Sequence, residues 1–142
     1  MAAPTFGTPP MPFRFEYDSA NKIFLVRFEG RVTDEMVERF YHVDAPRVMA
    51  KLDFRGSIVD FSGVTSMEMT PALVRTLAWS DPLDIEAARA RVIVAPTPHA
   101  FGLARMFSSH GEDTRPSLHV VGTFEHALAV LGVIKSEFQP LE

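Results

Sequence analysis

Apolar and polar side chains alternate from Phe13 to Tyr17, the period of a half-buried strand. The turn-forming cluster Asp18-Ser19-Ala20-Asn21 follows. Ile23 to Phe28 then reads as a second strand, so the two predict a hairpin, with Gly30 as punctuation. Thr33 is placed to cap a helix with Asp34 and Glu35 in its first turn. Met36, Val37, Phe40 and Tyr41 share one face of that helix, and Pro46 is expected to kink or interrupt it. Ser57 to Phe61 predicts a short buried strand that Ser62-Gly63 should end.

Thr70-Pro71 sets a cap before a proline at the first helical position. Leu73, Val74, Leu77 and Ala78 form the inward stripe of the helix that follows, and Asp81-Pro82 stops it. Arg91 to Ala95 is the next strand. Thr97-Pro98 repeats the cap-plus-proline device and opens a helix to about Ser109. Leu118 to Val121 is the last strand, and Thr123 caps a helix with Phe124, Ala127, Leu128 and Leu131 at i, i+3, i+4 and i+7. The order β-β-α-β-α-β-α-β-α predicts an α/β domain, with a single mixed, mostly parallel sheet of about five strands and about four helices. Its parallel neighbours require right-handed crossovers.

Composition narrows the chemistry. The chain has 142 residues, 46% hydrophobic and 23% charged, the mixture of an ordinary folded domain. It has no cysteine, which excludes disulfides, thiolate zinc sites, iron–sulfur clusters and cysteine nucleophiles. A formal charge of −4 with scattered basic residues argues against nucleic acid as a partner. No apolar stretch approaches the length that crosses a bilayer of roughly 30 Å. With no secretory pattern in the first residues, the expected location is the cytoplasm. Residues 1–12, with four prolines and no charge, are expected as a disordered tail, and 136–142 as a second one, leaving the domain over 13–135.

Three segments together carry a family resemblance. They are Ile58-Val59-Asp60-Phe61-Ser62-Gly63-Val64-Thr65, the stretch Ala95 to Phe107 with its Phe101-Gly102-Leu103-Ala104-Arg105-Met106-Phe107 centre, and Ala127 to Val133. The chain resembles the SpoIIAA-like family, within the STAS group named after sulfate transporters and anti-sigma-factor antagonists. The resemblance implies one sheet with about four helices and a non-enzymatic role, in which a protein partner, a nucleotide or another small ligand is bound and a signal relayed. In the antagonists an Asp-Ser-Ser-Gly loop is phosphorylated on its first serine. Here Glu68 falls on the aspartate, Met69 on that serine, Thr70 on the second serine and Pro71 on the glycine. A thioether accepts no phosphoryl group, so the phosphoserine switch is replaced at Met69.

The candidate binding residues follow from strand ends and helix starts. Ligands of open α/β sheets bind outside the carboxyl ends of the strands. The loop Ser62 to Thr70 and the helix start at Thr97 should share that edge. There the helix N-termini at Thr70 and Thr97 would favour an anion, which Glu68 would oppose, with Ser62, Ser66 and Glu68 as further ligand- or partner-binding residues, although each threonine also suffices as a plain cap. Ser66, Thr65 or Thr70 would be the hydroxyl replacing the lost phosphoserine. Arg105 offers a planar fork to an anionic ligand or a partner carboxylate, or else its stem covers Phe101 or Met106. Gly102 suggests close packing of backbone against a neighbour. Met67, Met69 and Met106 with Phe101 and Phe107 would surround an apolar opening suited to a lipid-like or other hydrophobic molecule, as in the related Sec14-like group. A homodimer through an exposed face is the remaining partner.

A hydrolase is disfavoured. Asp60 and Ser62 are two apart on an extended strand, which leaves no place for His99 between them. His119 and His126 span a strand–turn–helix junction, a poor metal spacing. No catalytic residue, metal site or cofactor is therefore assigned.

Overall fold

A computed structural model describes residues 13–79, 89–110 and 117–141. Strand β1 (Phe13–Asp18) pairs antiparallel with β2 (Ile23–Thr33), as the hairpin pattern predicts. Strands β3 (Gly56–Glu68), β4 (Ala90–Val94) and β5 (Leu118–Val121) each pair parallel with the strand before them. Gln139–Pro140, inside the segment expected as a tail, forms a short strand β6 antiparallel to β1. The sheet thus has six strands, in the order β5-β4-β3-β2-β1-β6, rather than about five. The expected tail over 1–12 and the helix stop at Asp81-Pro82 lie outside the described residues.

Pro46 does not interrupt the first helix. Helix α1 (Asp34–Arg39) passes through a π-helical turn, Phe40–Asp44, into α2 (Ala45–Met49). The Ala45 N–H donates to the Phe40 carbonyl five residues back. A proline ring clashes with the carbonyl four residues back in a regular helix, and the widened turn gives it room. The other helices among the described residues are α3 (Pro71–Trp79), α4 (Pro98–His110) and α5 (Phe124–Val130). Threonine caps α1, α3, α4 and α5: Thr33, Thr70, Thr97 and Thr123 accept from the N–H groups of Met36, Leu73, Ala100 and His126.

Strand β2 lies between β1 and β3 and is apolar on both sides. Phe24, Val26 and Phe28 join the larger core beneath α1–α2, α3 and α4. Ile23 and Leu25 join the smaller core with Ile58, Val92 and Val94 beneath α5. A run with no polar alternation is what burial of both faces demands. The phenylalanines concentrate on the larger side, where Phe13, Phe28 and Phe40 meet with ring centroids 5.0 to 5.5 Å apart.

Strand β3 does not end at Ser62-Gly63 as expected. The β2–β3 ladder shifts register between Arg27 and Glu29 and again between Gly30 and Arg31, then continues to Thr33 opposite Glu68. Gly30 takes φ +70°, which side-chain-bearing residues rarely adopt. A Cβ at Gly63 would stand 3.1 Å from the Glu29 Cγ and 3.2 Å from the Phe28 carbonyl oxygen. The two glycines therefore permit bulges, after which the strands run on.

Asp18 ties the hairpin turn to the C-terminal segment. It accepts from the Asn21 N–H (3.0 Å), the Asn21 side-chain amide (2.7 Å) and the Glu137 N–H (3.0 Å). Burial pushes its carboxyl up, but the Asn21 side-chain hydrogen bond, with the backbone N–H groups of Glu137, Asn21 and Ala20, outweighs burial and leaves it below its ordinary value.

Two outcomes are expected. Gly30→Ala should destabilise the fold by about 1–2 kcal/mol in urea unfolding, because φ is positive there although space is open. Asp18 titrates with a lowered folded-state pKa, so its stabilisation is complete above the unfolded carboxylate range and is lost as pH falls through the folded value. In an acid titration the protection of the Glu137 amide against hydrogen exchange should fall in that window, and Asp18→Asn should abolish the pH dependence.

Candidate functional site

The outer end of the β2–β3 ladder carries a charged cluster. Arg31 pairs opposite Ser66 and grips Glu68 with two hydrogen bonds, Nε to Oε2 at 2.7 Å and the second terminal nitrogen to Oε1 at 3.0 Å. The Ser66 hydroxyl donates to Glu68 Oε2 at 3.0 Å. The hydrogen bond from Arg31, with a further one from Ser66, holds the Glu68 carboxyl below its ordinary value. Thr65, Ser66 and Glu68 therefore sit on a strand, not on the loop expected for them, and Ser66 and Glu68 are engaged with one another.

Thr70 and Met69 do follow the strand end. The Thr70 N–H donates to Asp34 Oδ1 and its hydroxyl to Asp34 Oδ2, both at 2.6 Å. Asp34 itself lies in the first turn of α1. One carboxylate thus stands at the starts of two helices, where negative charge is favoured. The place expected for an external anion at Thr70 is filled from within the chain. Thr97 caps α4 through the Ala100 N–H at 3.1 Å, and Pro98 behind it has no N–H to offer.

Phe101 and Arg105 are exposed on the outward side of α4, while Met106 is half-buried against the larger core. Beside them α3 presents Arg75 and Trp79 outward, with Trp79 67% exposed. Neither helix contains an aspartate or glutamate. Arg75 and Trp79 were not singled out from the sequence, although they are the complement of the inward stripe Leu73, Val74, Leu77 and Ala78. Gly102 is exposed, and among the described residues a Cβ there would meet nothing within 4 Å.

Ser62 belongs elsewhere. It continues the Ile58, Asp60 side of β3, on the face of the sheet opposite α3 and α4. Its hydroxyl donates to Asp60 Oδ1 at 2.6 Å. Buried Asp60 pairs with the Arg27 guanidinium at 3.0 Å, and Arg27 continues to Glu16 Oε2 at 3.0 Å. The guanidinium lies 4.9 Å from the Phe124 ring centroid. The carboxylate beside the Ser62 hydroxyl is itself held by the Arg27 guanidinium. The structure thus divides the candidate residues among three places: the Arg31 cluster, the two helix starts with the α4 surface, and the opposite face.

Beneath α3 and α4, Met67, Met69 and Phe107 line an apolar cavity of about 70 Å³ with Ala100 and Leu103. Phe101 points outward and Met106 does not line it, so three of the five residues expected around an opening are there. Ligand pockets run to roughly 300–1,000 Å³, and this one has room for only about two waters. Among the described residues no cluster of His, Asp or Glu has metal-binding geometry, and no helix is long and apolar enough to cross a membrane.

No family model matches the chain, and no curated protein sequence matches it. Among solved structures, that of the anti-sigma factor antagonist SpoIIAA in its unphosphorylated form is similar. The match has a TM-score of 0.54 at 18% identity and covers 87% of this chain and 99% of that one. The chain has a SpoIIAA-like, STAS-type fold, as the three sequence segments imply.

The shared carboxylate gives a direct test. Asp34→Ala and Thr70→Ala should each destabilise by about 1–2 kcal/mol in chemical denaturation. The double variant should cost clearly less than their sum, because both remove the same contact. Full additivity would show that Asp34 does not hold Thr70.

Proposed function

We propose that this chain is a non-enzymatic regulatory binding module of the SpoIIAA type, working in the cytoplasm through a protein partner. The observation that carries this reading is the outward side of α3 and α4. In a chain of charge −4 it offers Arg75, Arg105, Phe101 and Trp79 with no acidic residue on either helix. Aromatic and arginine side chains are the groups that dominate protein interfaces, and the arginines favour an acidic partner surface. Gly102 lies between Phe101 and Arg105 in the chain. Glycine in a helix costs about 1 kcal/mol against alanine, and among the described residues nothing packs close enough to need it. A partner backbone approaching there would use it.

The similar solved structure is that of an anti-sigma factor antagonist, itself a regulatory protein, which supports the same class here. Phosphorylation at Ser66, Met69 or Thr70 is disfavoured. Met69 stands on the position the resemblance assigns to the phosphorylated serine. Ser66 and Thr70 donate their hydroxyls to Glu68 and Asp34, whose charges would oppose a phosphate. Regulation then rests on which partner occupies the α3–α4 surface. The carrier reading gains little from a cavity of about 70 Å³.

Capture on the immobilised chain from an extract of its source, with mass spectrometry, should return one acidic protein at a stoichiometric ratio. Arg105→Glu should weaken that complex at least about tenfold, and Ser62→Ala on the opposite face should leave it unchanged. Gly102→Ala should raise the melting temperature yet weaken binding. No stoichiometric partner, or one indifferent to Arg105→Glu, would sink the proposal.

A further inference from the structure

A second cavity lies far from α3 and α4 in the fold, where the β1–β6 edge of the sheet meets α2 and the turn after it. Its volume is about 350 Å³, five times that of the cavity under α3 and α4. That places it inside the range of small-molecule pockets, roughly 300–1,000 Å³. Phe15 of β1, Val48 and Leu52 around α2, and Leu141 after β6 supply apolar walls. All four are half-buried, so the space keeps them only partly out of water. The Leu141 N–H donates to the Phe15 carbonyl at 2.9 Å, which fixes the outer wall to the sheet.

The polar lining is of one sign. Among the described residues Arg47 and Lys51, one helical turn apart in sequence, are the charged ones that line it, and none of these lining residues is a carboxylate. The acid facing Arg47 is Asp44, one turn earlier, whose Oδ1 is 3.5 Å from a terminal guanidinium nitrogen. That contact is long, and the Arg47 side chain stays 65% exposed. The Lys51 N–H donates to the Val48 carbonyl at 3.1 Å, and its side chain makes no ion pair or hydrogen bond among the described residues.

We propose that this cavity binds a small amphipathic carboxylate of the medium-chain fatty-acid type. The alkyl tail lies against Phe15, Val48, Leu52 and Leu141, and the carboxylate meets Arg47 and Lys51 at the mouth. A planar guanidinium matches a carboxylate with two parallel hydrogen bonds, and the lysine adds a point charge. An apolar lining with a few convergent polar groups is the usual build of such sites. The inference is independent of the partner surface on α3 and α4 and stands or falls separately.

The test uses the full chain with monomeric decanoate, octanoate and decanol, read by titration calorimetry and by methyl chemical shifts. Decanoate should bind saturably at one per chain and shift the Leu52 and Leu141 methyls. Octanoate should bind about tenfold more weakly, as two buried methylenes are lost. Decanol should be weaker than decanoate by at least about tenfold, because it lacks the charge. The Arg47→Gln/Lys51→Gln pair alters exposed side chains and should melt like the parent while losing the preference for decanoate over decanol. Val48→Trp should block the cavity and abolish binding of both. Any one of four results would overturn the proposal: no saturable decanoate binding, equal affinity for decanol, unchanged affinity in the Arg47/Lys51 variant, or shifts centred on the Met67 and Met69 methyls. Binding to anionic vesicles without binding of monomeric decanoate would also overturn it.

Discussion

The parallel pairing of β2 with β3 is the constraint on which the rest of the architecture depends. It runs from Ile23 opposite Gly56 to Thr33 opposite Glu68, across two register shifts. Because both strands finish level, the helices that leave them, α1 and α3, start side by side. That alone brings Asp34 within hydrogen-bonding reach of Thr70, 36 residues away. The same ladder sets Arg27 opposite Asp60 and Arg31 opposite Ser66, next to the Glu68 that it grips. A slip of one residue would turn every one of these side chains to the other face. The polar pairs therefore specify register as much as they add stability. Isolated exposed pairs such as Arg31–Glu68 are worth little. A buried pair such as Arg27–Asp60 largely repays its own desolvation.

Much of this was legible in the chain. Period-two and period-3.6 patterns located the hairpin, the parallel strands and the inward stripes, and the four threonine caps all formed because a short hydroxyl at a helix start has one favourable use. The glycines were harder. Gly30 and Gly63 each read equally well as the end of a strand or as a bulge within it. The choice depends on whether a neighbouring strand continues alongside, which is a fact about two segments. Pro46 posed the same difficulty, since a widened helical turn absorbed what a regular helix could not. Strand β6 comprises two residues and has no pattern of its own; pairing with β1 and the hold of Asp18 on Glu137 create it.

The candidate site was less legible than the fold for a related reason. Hydroxyls and carboxylates near strand ends look alike in sequence whether they await a ligand or satisfy one another. Ser66, Glu68, Thr70 and Ser62 all bond within the chain, each to a partner that register selects. Phe101 and Arg105 lie on the exposed side of α4, a direction that helical period sets. Arg75 and Trp79 could have been read by the same rule, as residues left over once the buried stripe of α3 is assigned.

Internal satisfaction also bears on what kind of activity the fold can support. The hydroxyls at the strand ends are already committed to carboxylates, and the buried Asp60 is committed to Arg27. Two other features are built differently: an exposed helical surface without acidic residues and two cations over an apolar hollow. Both recognise by shape and charge and need no reorganisation of the sheet. A scaffold whose polar groups are spent on fixing its own register can hold such surfaces rigid, and rigidity lowers the entropic cost of binding.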